Sequence, residues 1–271
     1  MGGHKAPHLW PFMSGFNLSD YYELSQSLDR ENPIDFEAIQ DLLRDPLFFS
    51  SNTSCDEKQS TLIDEIVGVR AVSIEKELIS RARNLCEISH SDNLGKSLHN
   101  GNQTWVGLDP NTLQTPYREI SEVLDCVQPK KGQRIIDLGA AYGRMGMVLN
   151  CHYPDVEFYG LEYVPERVSE GNRIYEFYGI DGPKLYSKDL ASESFDIEPA
   201  DIYFIYEYGR KEHIQKTLFE LREIAQNQKI ILIARGRSCI SLIDYYHPWL
   251  SDVFPVKRLE TVSMYANFKY F

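Results

Sequence analysis

The chain has 271 residues, of which 42% are hydrophobic and 25% are charged, and its formal net charge is −12. This composition is typical of a soluble globular protein, and the acidic excess argues against nucleic acid as the main partner, because binding to phosphates requires clustered Lys and Arg. The N-terminus lacks the basic and apolar segments of a secretory signal, and no apolar stretch approaches the ~20 residues that span a bilayer. We therefore expect a cytoplasmic protein with no membrane partner.

Helical patterns dominate up to about residue 90, after an irregular start over residues 1–16. The predicted helices cover NLSDYYELSQSL, NPIDFEAIQDLLRDPLFF and a long segment from Ser60 that is broken or bent near Gly68. The segment from His90 to Asn111 is rich in Gly, Asn, Ser and Asp, which indicates a connecting loop. These patterns predict a helical N-terminal region over residues 1–110.

From about residue 115 onwards, strand patterns alternate with helix patterns. The predicted strands are QRIIDLG, VEFYGLEYV, PKLYSKDL, DIYFIYEYG and KIILIARGR, followed by VFPVKRLETVSM and YANFKYF. Such alternation implies a mostly parallel sheet with helices on both faces. The last two strands leave little room for a helix between them, which suggests an antiparallel pair at the edge.

The cysteines are odd in number and far apart in the chain. They are Cys55, Cys86, Cys126, Cys151 and Cys239, and none belongs to a C-x-x-C pair. This spacing argues against a disulfide framework and against a metal site. We expect buried, reduced thiols that behave as small apolar side chains.

The turn between the first predicted strand and its helix, RIIDLGAAYGRMG, has the features of a nucleoside-binding loop. Its small residues let the backbone approach a ligand closely, and ligands of open α/β sheets bind at the carboxyl ends of the strands. Asp137 stands at the end of the strand, and Glu162 follows it by 25 residues at the end of the next strand. A carboxylate at that second position can accept two hydrogen bonds from a ribose diol.

Two nucleoside ligands compete for this loop. NAD requires G-x-G-x-x-G, and the best match here begins at Ala141 instead of a glycine and continues with Gly143 and Gly146. S-adenosylmethionine has no pyrophosphate and carries a sulphonium and an ammonium, so that an acid such as Asp137 suits it. The loop therefore favours S-adenosylmethionine over NAD.

The first motif resembles that of the class I S-adenosylmethionine-dependent methyltransferases, which is an acid, any residue, and then glycines at alternate positions. Asp137, Gly139 and Gly143 match this motif, whereas Ala141 replaces the middle glycine. Glu162 is similar to the acid of this family that binds the ribose. The resemblance implies that all five residues contact the cofactor.

The resemblance continues after the third predicted strand and covers about residues 115–271. Asp189 is similar to the acid that contacts the adenine amino group, and Leu190 would lie near the adenine ring. The implied fold is α/β, a Rossmann-like, doubly wound, mostly parallel seven-stranded sheet with an antiparallel C-terminal edge strand. The cofactor-binding domain would span residues 111–271, and the helical region before it would serve for docking or as a lid.

The segment that ends the fourth predicted strand resembles the part of these enzymes that faces the transferred methyl group. It supplies Tyr206, Glu207 and Tyr208 as candidate catalytic residues. Alternation along a strand places both tyrosines on one side and Glu207 on the other. The tyrosines could form a wall for a cation, and Glu207 could orient an amine or act as a base. Packing within the sheet is the alternative role for the tyrosines.

The sequence excludes some classes of methyl acceptor. The N/D-P-P-Y/F motif of nucleic-acid amino methyltransferases and the Pro-Cys nucleophile of cytosine C5 enzymes are both absent. The segment TPYREISEVL is faintly similar to the lead-in helix of the non-SET protein lysine methyltransferases, which implies cofactor contacts for Thr115 and Tyr117. We expect the acceptor to be a protein lysine or a small molecule. Two alternatives to a methyltransferase are a binding module that has lost catalysis and an NAD-dependent oxidoreductase.

Overall fold

The computed structural model describes residues 36–45, 56–86, 105–106, 108–255 and 262–268. The predicted helix NLSDYYELSQSL and most of the predicted loop before Asn111 lie outside the described residues. Within the described part, no helix is long and apolar enough to cross a membrane.

The described residues of the N-terminal part are mostly helical, as predicted. The helices are α1 (Phe36–Arg44), α2 (Asp56–Val67), α3 (Ala71–Cys86), α4 (Pro110–Leu113) and α5 (Tyr117–Val127). The bend predicted near Gly68 is a break between α2 and α3, where the φ of this glycine is +81°. A left-handed residue of this kind ends a helix, and glycine adopts it without steric cost.

A seven-stranded sheet forms the centre of the molecule. Its strands are β1 (Arg134–Leu138), β2 (Glu157–Glu162), β3 (Lys184–Ser187), β4 (Ile202–Tyr206), β5 (Ile231–Arg235), β6 (Ser251–Pro255) and β7 (Val262–Ala266). They lie in the order β3-β2-β1-β4-β5-β7-β6. The first five pair in parallel, and β7 runs antiparallel to both β5 and β6.

Four further helices follow β1, β2, β4 and β5 and cover the faces of the sheet. They are α6 (Arg144–His152), α7 (Pro165–Phe177), α8 (Lys211–Ala225) and α9 (Arg237–Tyr246). The chain moves outwards from β1 to β3, returns to β4 beside β1, and continues to the other side. Between β1 and β4 the strand order therefore reverses, and a crevice opens at the carboxyl ends of the strands.

The antiparallel pair predicted near the C-terminus is confirmed, with different strand limits. β7 lies between β5 and β6, so that β6 is the outermost strand. The predicted strands 253–264 and 265–271 do not match β6 and β7, because the first of them contains both the end of β6 and the start of β7. Pro255 ends β6, and a proline has no backbone N–H with which to extend a ladder.

The N-terminal helices share a core with the sheet. Ile135 of β1 packs in one apolar cluster with Leu43 of α1 and Ile63 of α2, whereas the next residue, Ile136, packs in the cluster on the opposite face. This alternation is the expected behaviour of a strand buried on both sides. Helices α1 and α2 thus form part of the layer that covers one face of the sheet.

The buried thiols expected from the sequence are present at two positions. Cys151 and Cys239 are buried and free, whereas Cys126 is exposed on the outer side of α5. The side chains of Cys55 and Cys86 lie outside the described part of the chain.

Candidate functional site

A cleft of about 820 Å³ lies at the carboxyl ends of β1, β2 and β4. The predicted site residues that line it are Gly139, Ala141, Glu162, Asp189, Leu190, Tyr206, Glu207 and Tyr208. An inner recess adjoins the cleft and shares Gly139, Ala141 and Tyr206 with it. Asp137 and Thr115 line the recess.

Three residues of the loop after β1 have positive φ angles, a conformation that residues other than glycine rarely adopt. The φ angles of Gly139, Ala141 and Gly143 are +97°, +47° and +84°. A Cβ on Gly139 would lie 2.5 Å from the Cβ of Tyr208, so that only glycine fits there. Ala141 holds the left-handed conformation with its Cβ in place, which is sterically unfavourable.

Gly143 and Gly146 serve the packing of helix α6 and do not line the cleft. A Cβ on either would lie within 2.4 Å of the Tyr175 hydroxyl oxygen. That hydroxyl donates a hydrogen bond of 2.5 Å to the carbonyl of Gly143. The cofactor contact predicted for Gly143 is therefore replaced by contact with Tyr175 of α7.

Glu162 is a buried carboxylate that two backbone amides hold in place. Its Oε2 accepts a hydrogen bond of 3.0 Å from the Ala141 N–H, and its Oε1 accepts one of 2.9 Å from the Val164 N–H. Arg167 approaches Oε1 to 3.5 Å. A carboxylate has about four acceptor positions, so that hydroxyl donors from a ligand in the cleft can still be accommodated.

Asp137 is the second buried carboxylate of the site. Burial, followed by repulsion from Glu162, raises the pKa of its carboxyl group from 3.8 to about 8. A positive charge placed beside such a carboxyl group stabilises its ionised form. The recess in front of Asp137 is thus suited to a cationic group.

Asp189 and Leu190 follow β3 at the far side of the cleft. The Asp189 Oδ1 accepts a hydrogen bond of 3.0 Å from the Ala191 N–H, which fixes the carboxylate in a tight turn. Leu190 is buried and contributes an apolar surface beside it. The two residues together present a polar edge and an apolar face to the cleft.

The residues after β4 all line the cleft. The predicted placement of Tyr206 and Tyr208 on one side is wrong, because the strand ends at Tyr206 and alternation ends with it. Tyr206 packs against the apolar cluster on one face of the sheet, and Tyr208 packs against the cluster on the other face. The Tyr206 hydroxyl donates to the Thr112 carbonyl at 3.0 Å. The guanidinium of Arg235 lies 4.1 Å from the centre of the Tyr206 ring, so that a cation already occupies one face of that ring.

Glu207 and Tyr208 are fixed by the helices that follow β5 and β4. The Glu207 Oε1 accepts a hydrogen bond of 2.7 Å from the Ser238 N–H in the first turn of α9. The Tyr208 hydroxyl donates to the His213 carbonyl at 3.0 Å and lies 2.5 Å from Thr217 Oγ1. Glu207 is thus held at the cleft as an acceptor, whereas the polar end of Tyr208 is turned into α8.

Thr115 lines the recess, whereas Tyr117 lies in the interior behind it. The Tyr117 hydroxyl donates to Asp64 Oδ1 at 3.0 Å, and the Arg144 guanidinium lies 5.1 Å from the centre of the Tyr117 ring. Arg144 also donates to the Thr115 carbonyl at 3.2 Å and pairs with Asp64. The contact that the resemblance implied for Tyr117 is therefore with α2 and not with the cleft.

Several residues of the cleft were not predicted from the sequence. They include Trp105, Thr112, Arg167, Lys188 and His213. The pKa of His213 is lowered, first by burial and then by Arg210, so that its imidazole is neutral near pH 7. Arg167 and His213 both stand in the first turn of a helix that follows a parallel strand, and that position alone places them at the ligand-binding edge.

Comparisons with known proteins find likeness in structure only. No family model matches the sequence, and no curated protein matches it. A SAM-dependent methyltransferase from Aquifex aeolicus is 14% identical with a TM-score of 0.44, over 59% of this chain and 97% of that one. An RNA methyltransferase from Salinibacter ruber, in complex with S-adenosyl-L-homocysteine, is 20% identical with a TM-score of 0.41, over 56% and 91%.

A third similar structure is the precorrin-6y C5,15-methyltransferase from Geobacter metallireducens, which is 16% identical with a TM-score of 0.43, over 60% of this chain and 93% of that one. The strand order of the present sheet, with five parallel strands and the antiparallel β7, is the Rossmann-like class I methyltransferase fold that the sequence predicts.

Proposed function

We propose that this protein is an S-adenosylmethionine-dependent methyltransferase. The observation that carries the proposal is the convergence of three carboxylates, Asp137, Glu162 and Asp189, around one cleft and its inner recess. They stand at the ends of three adjacent strands, β1, β2 and β3, where an open α/β sheet binds its ligand. A set of acids at this edge of the sheet fits a nucleoside that carries positive charge.

Each carboxylate has a distinct role in the proposal. Glu162 accepts hydrogen bonds from the ribose hydroxyls, since its two backbone amides leave acceptor positions open. Asp189 accepts from the adenine amino group, and the ring lies against Leu190. Asp137 faces the methionine end in the recess, where the ammonium offsets the cost of a buried carboxylate.

For methyl transfer, the main task of the protein is to align the reacting groups. The bound cofactor supplies an activated methyl group, and the transfer is an in-line displacement, in which holding the reacting atoms in line provides much of the rate. Tyr206 and Glu207 border the acceptor end of the cleft. Glu207, fixed by Ser238, orients the acceptor, and the ring of Tyr206 excludes water from the reacting centre.

NAD fits the same cleft less well. Its pyrophosphate carries two negative charges that would meet Glu162 near the loop, and like charges at short range are repulsive. The acceptor of the methyl group in this proposal is a protein lysine or a small molecule. A nucleic-acid acceptor is disfavoured by the net charge of −12.

Thermal unfolding with added ligands tests the proposal. A ligand that binds only the native state raises the unfolding midpoint by mass action. We expect S-adenosylmethionine and S-adenosylhomocysteine to raise the midpoint and NAD to leave it unchanged. A shift with NAD alone would assign the protein to the oxidoreductases, and no shift with any of the three would leave a binding module without a nucleotide.

A further inference from the structure

A second cavity of about 840 Å³ adjoins the cleft between helices α8 and α9. Trp105 and Glu207 line both spaces and therefore form the joint between them. Beyond this joint, Lys211, Tyr245 and Tyr246 line the second cavity, which we name the aromatic groove. A molecule in the aromatic groove would reach the end of the cleft at which the methyl group is transferred.

The joint carries a fixed negative charge. One oxygen of Glu207 accepts from the Ser238 N–H, and the packing of Gly236 is close enough that a Cβ there would lie 2.4 Å from the Glu207 Cδ. These contacts hold the carboxylate in one orientation, with its second oxygen as an acceptor for a ligand. A donor that carries positive charge forms the strongest hydrogen bond with such a group.

The joint also carries a hydrogen-bond donor that lacks an acceptor. The indole N–H of Trp105 is buried, and among the described residues it has no hydrogen-bond partner. A buried donor without a partner costs about 1–3 kcal/mol, and such groups are rare in native proteins. Its place between two cavities indicates that a ligand supplies the missing acceptor, such as a carbonyl oxygen.

Two tyrosine side chains in the outer part of the aromatic groove are highly exposed to solvent. Tyr245 is 81% exposed and Tyr246 is 59% exposed. Lys211 lies over the Tyr246 ring at 5.5 Å. Exposed rings beside a cavity provide contact area at a low cost in conformational entropy, which is typical of a recognition surface.

We propose that the aromatic groove binds the methyl acceptor, and that this acceptor is an amine attached to an apolar chain that also carries a carbonyl oxygen. The proposal rests on the methyltransferase function proposed above. The amine meets Glu207, the carbonyl oxygen meets the Trp105 N–H, and the apolar chain lies against Tyr245 and Tyr246. A lysine side chain in a peptide and a free N-acylated diamine share this chemistry.

The transfer is balanced with this assignment. The bound ammonium first gives one proton to solvent by way of Glu207, because only the neutral amine has a lone pair. The nitrogen then forms a bond to the methyl carbon while the carbon–sulphur bond breaks, and the electron pair of that bond goes to sulphur. The products are a methylated ammonium and a neutral thioether.

The test is a methyl-transfer assay on the full-length protein with methyl-labelled S-adenosylmethionine. The probes are a panel of lysine-containing peptides, a panel of N-acylated diamines, and matched alcohols in which a hydroxyl replaces the amine. We expect label in one of the amine panels and none in the alcohols. Label in peptides alone identifies a protein acceptor, and label in diamines alone identifies a small molecule. Label in the alcohols alone, or in no amine of either panel, overturns the proposal.

Variants of the aromatic groove complete the test. Glu207→Gln and Trp105→Phe should each raise the KM for the amine at least tenfold and leave the affinity for S-adenosylhomocysteine within twofold. The matched control is Glu212→Gln, since Glu212 is an exposed acid on α8 that lines neither cavity. An unchanged KM in the two groove variants overturns the assignment. A protein that fails to bind S-adenosylhomocysteine at all contradicts the methyltransferase proposal instead, so that the two failures are distinguishable.

Discussion

Glu75 of α3 and Arg167 of α7 form an ion pair of 2.8 Å, and each side chain is only 3% exposed. The Tyr142 hydroxyl donates to the same carboxylate at 2.8 Å, and Arg167 lies 3.5 Å from Glu162. A continuous set of polar contacts therefore joins the N-terminal helices to the carboxylate that we assign to the ribose. On this basis the N-terminal helices support the proposed cofactor site directly.

Removing the charge of Glu75 should weaken both the fold and the site. We expect Glu75→Gln to lower the free energy of unfolding by about 3 kcal/mol, because Arg167 is then a buried charge whose remaining carboxylate partner among the described residues is Glu162, at 3.5 Å. Denaturant unfolding measures this change. Glu77→Gln is the control on the exposed side of α3 and should stay within about 0.5 kcal/mol of the wild type. Equal stability of the two variants would contradict a structural role for the buried pair.

Ala141 departs from the glycine of the class I motif at a position that favours glycine. With a φ of +47° its Cβ is strained, and Ala141→Gly should raise the free energy of unfolding by up to about 1 kcal/mol. The hydrogen bond from this residue's backbone N–H to Glu162 is retained in the variant. The neighbouring Ala140→Gly should instead destabilise, since Ala140 is buried and does not have a positive φ. The idea fails if thermal unfolding shows both variants to be destabilised alike.

The raised pKa of Asp137 predicts a pH dependence of stability. The folded state prefers the protonated carboxyl, so its stabilising contribution is complete below pH 3.8 and is lost as the pH rises through about 8. Glu162 repels the charged form, whereas the nearby Arg144 is paired with Asp64. Asp137→Asn should therefore gain stability relative to the wild type between pH 5 and pH 8. Denaturant unfolding at pH 5 and at pH 8 measures this change. The assignment is refuted if the free energies of unfolding of the variant and the wild type differ by the same amount at both pH values.

The hydroxyl of Tyr206 should hold α4 over the cleft. Its hydrogen bond to the Thr112 carbonyl is a single link between β4 and α4, with a net value of about 1 kcal/mol. In Tyr206→Phe we expect amide hydrogen exchange over residues 110–115 to accelerate by up to about tenfold. Tyr203→Phe is the matched control, because the Tyr203 hydroxyl bonds Ala200 and Glu198 at the opposite end of the strand. Unchanged exchange in this segment for Tyr206→Phe would exclude the role.

The sequence was informative wherever a local pattern determines the structure. The loop after β1 was predicted from its small residues, Glu162 from its position at the end of the next strand, and Asp189 from the resemblance to the class I methyltransferases. Gly143 matched the motif, yet its role here is to admit Tyr175, which only the packing of α7 reveals. A motif therefore identified the loop correctly without assigning the role of every residue in it.

The unpredicted features depend on contacts between distant parts of the chain. Glu75 and Arg167 are separated by 92 positions, and Tyr117 and Asp64 by 53. Spacing within one helix or strand carries no information about such pairs. The error in placing Tyr206 and Tyr208 on one side has a different cause, because the alternation of side chains was extended two residues beyond the end of β4. Arg167 and His213 could have been predicted, because both lie in the first turn of a helix that follows a parallel strand.

The most direct test of the central claim is calorimetric titration of S-adenosylhomocysteine into the wild type and into Glu162→Ala. Charge-assisted hydrogen bonds to the ribose would be lost in the variant, and we expect its affinity to fall by more than tenfold, on the order of 1.4 kcal/mol or more. Glu162→Gln keeps an acceptor oxygen for one backbone amide. Its affinity should lie between those of the wild type and Glu162→Ala. Tight binding by the wild type with this order of affinities supports a cofactor site built on Glu162. Equal affinity in all three proteins, each shown to be folded by thermal unfolding, would contradict it.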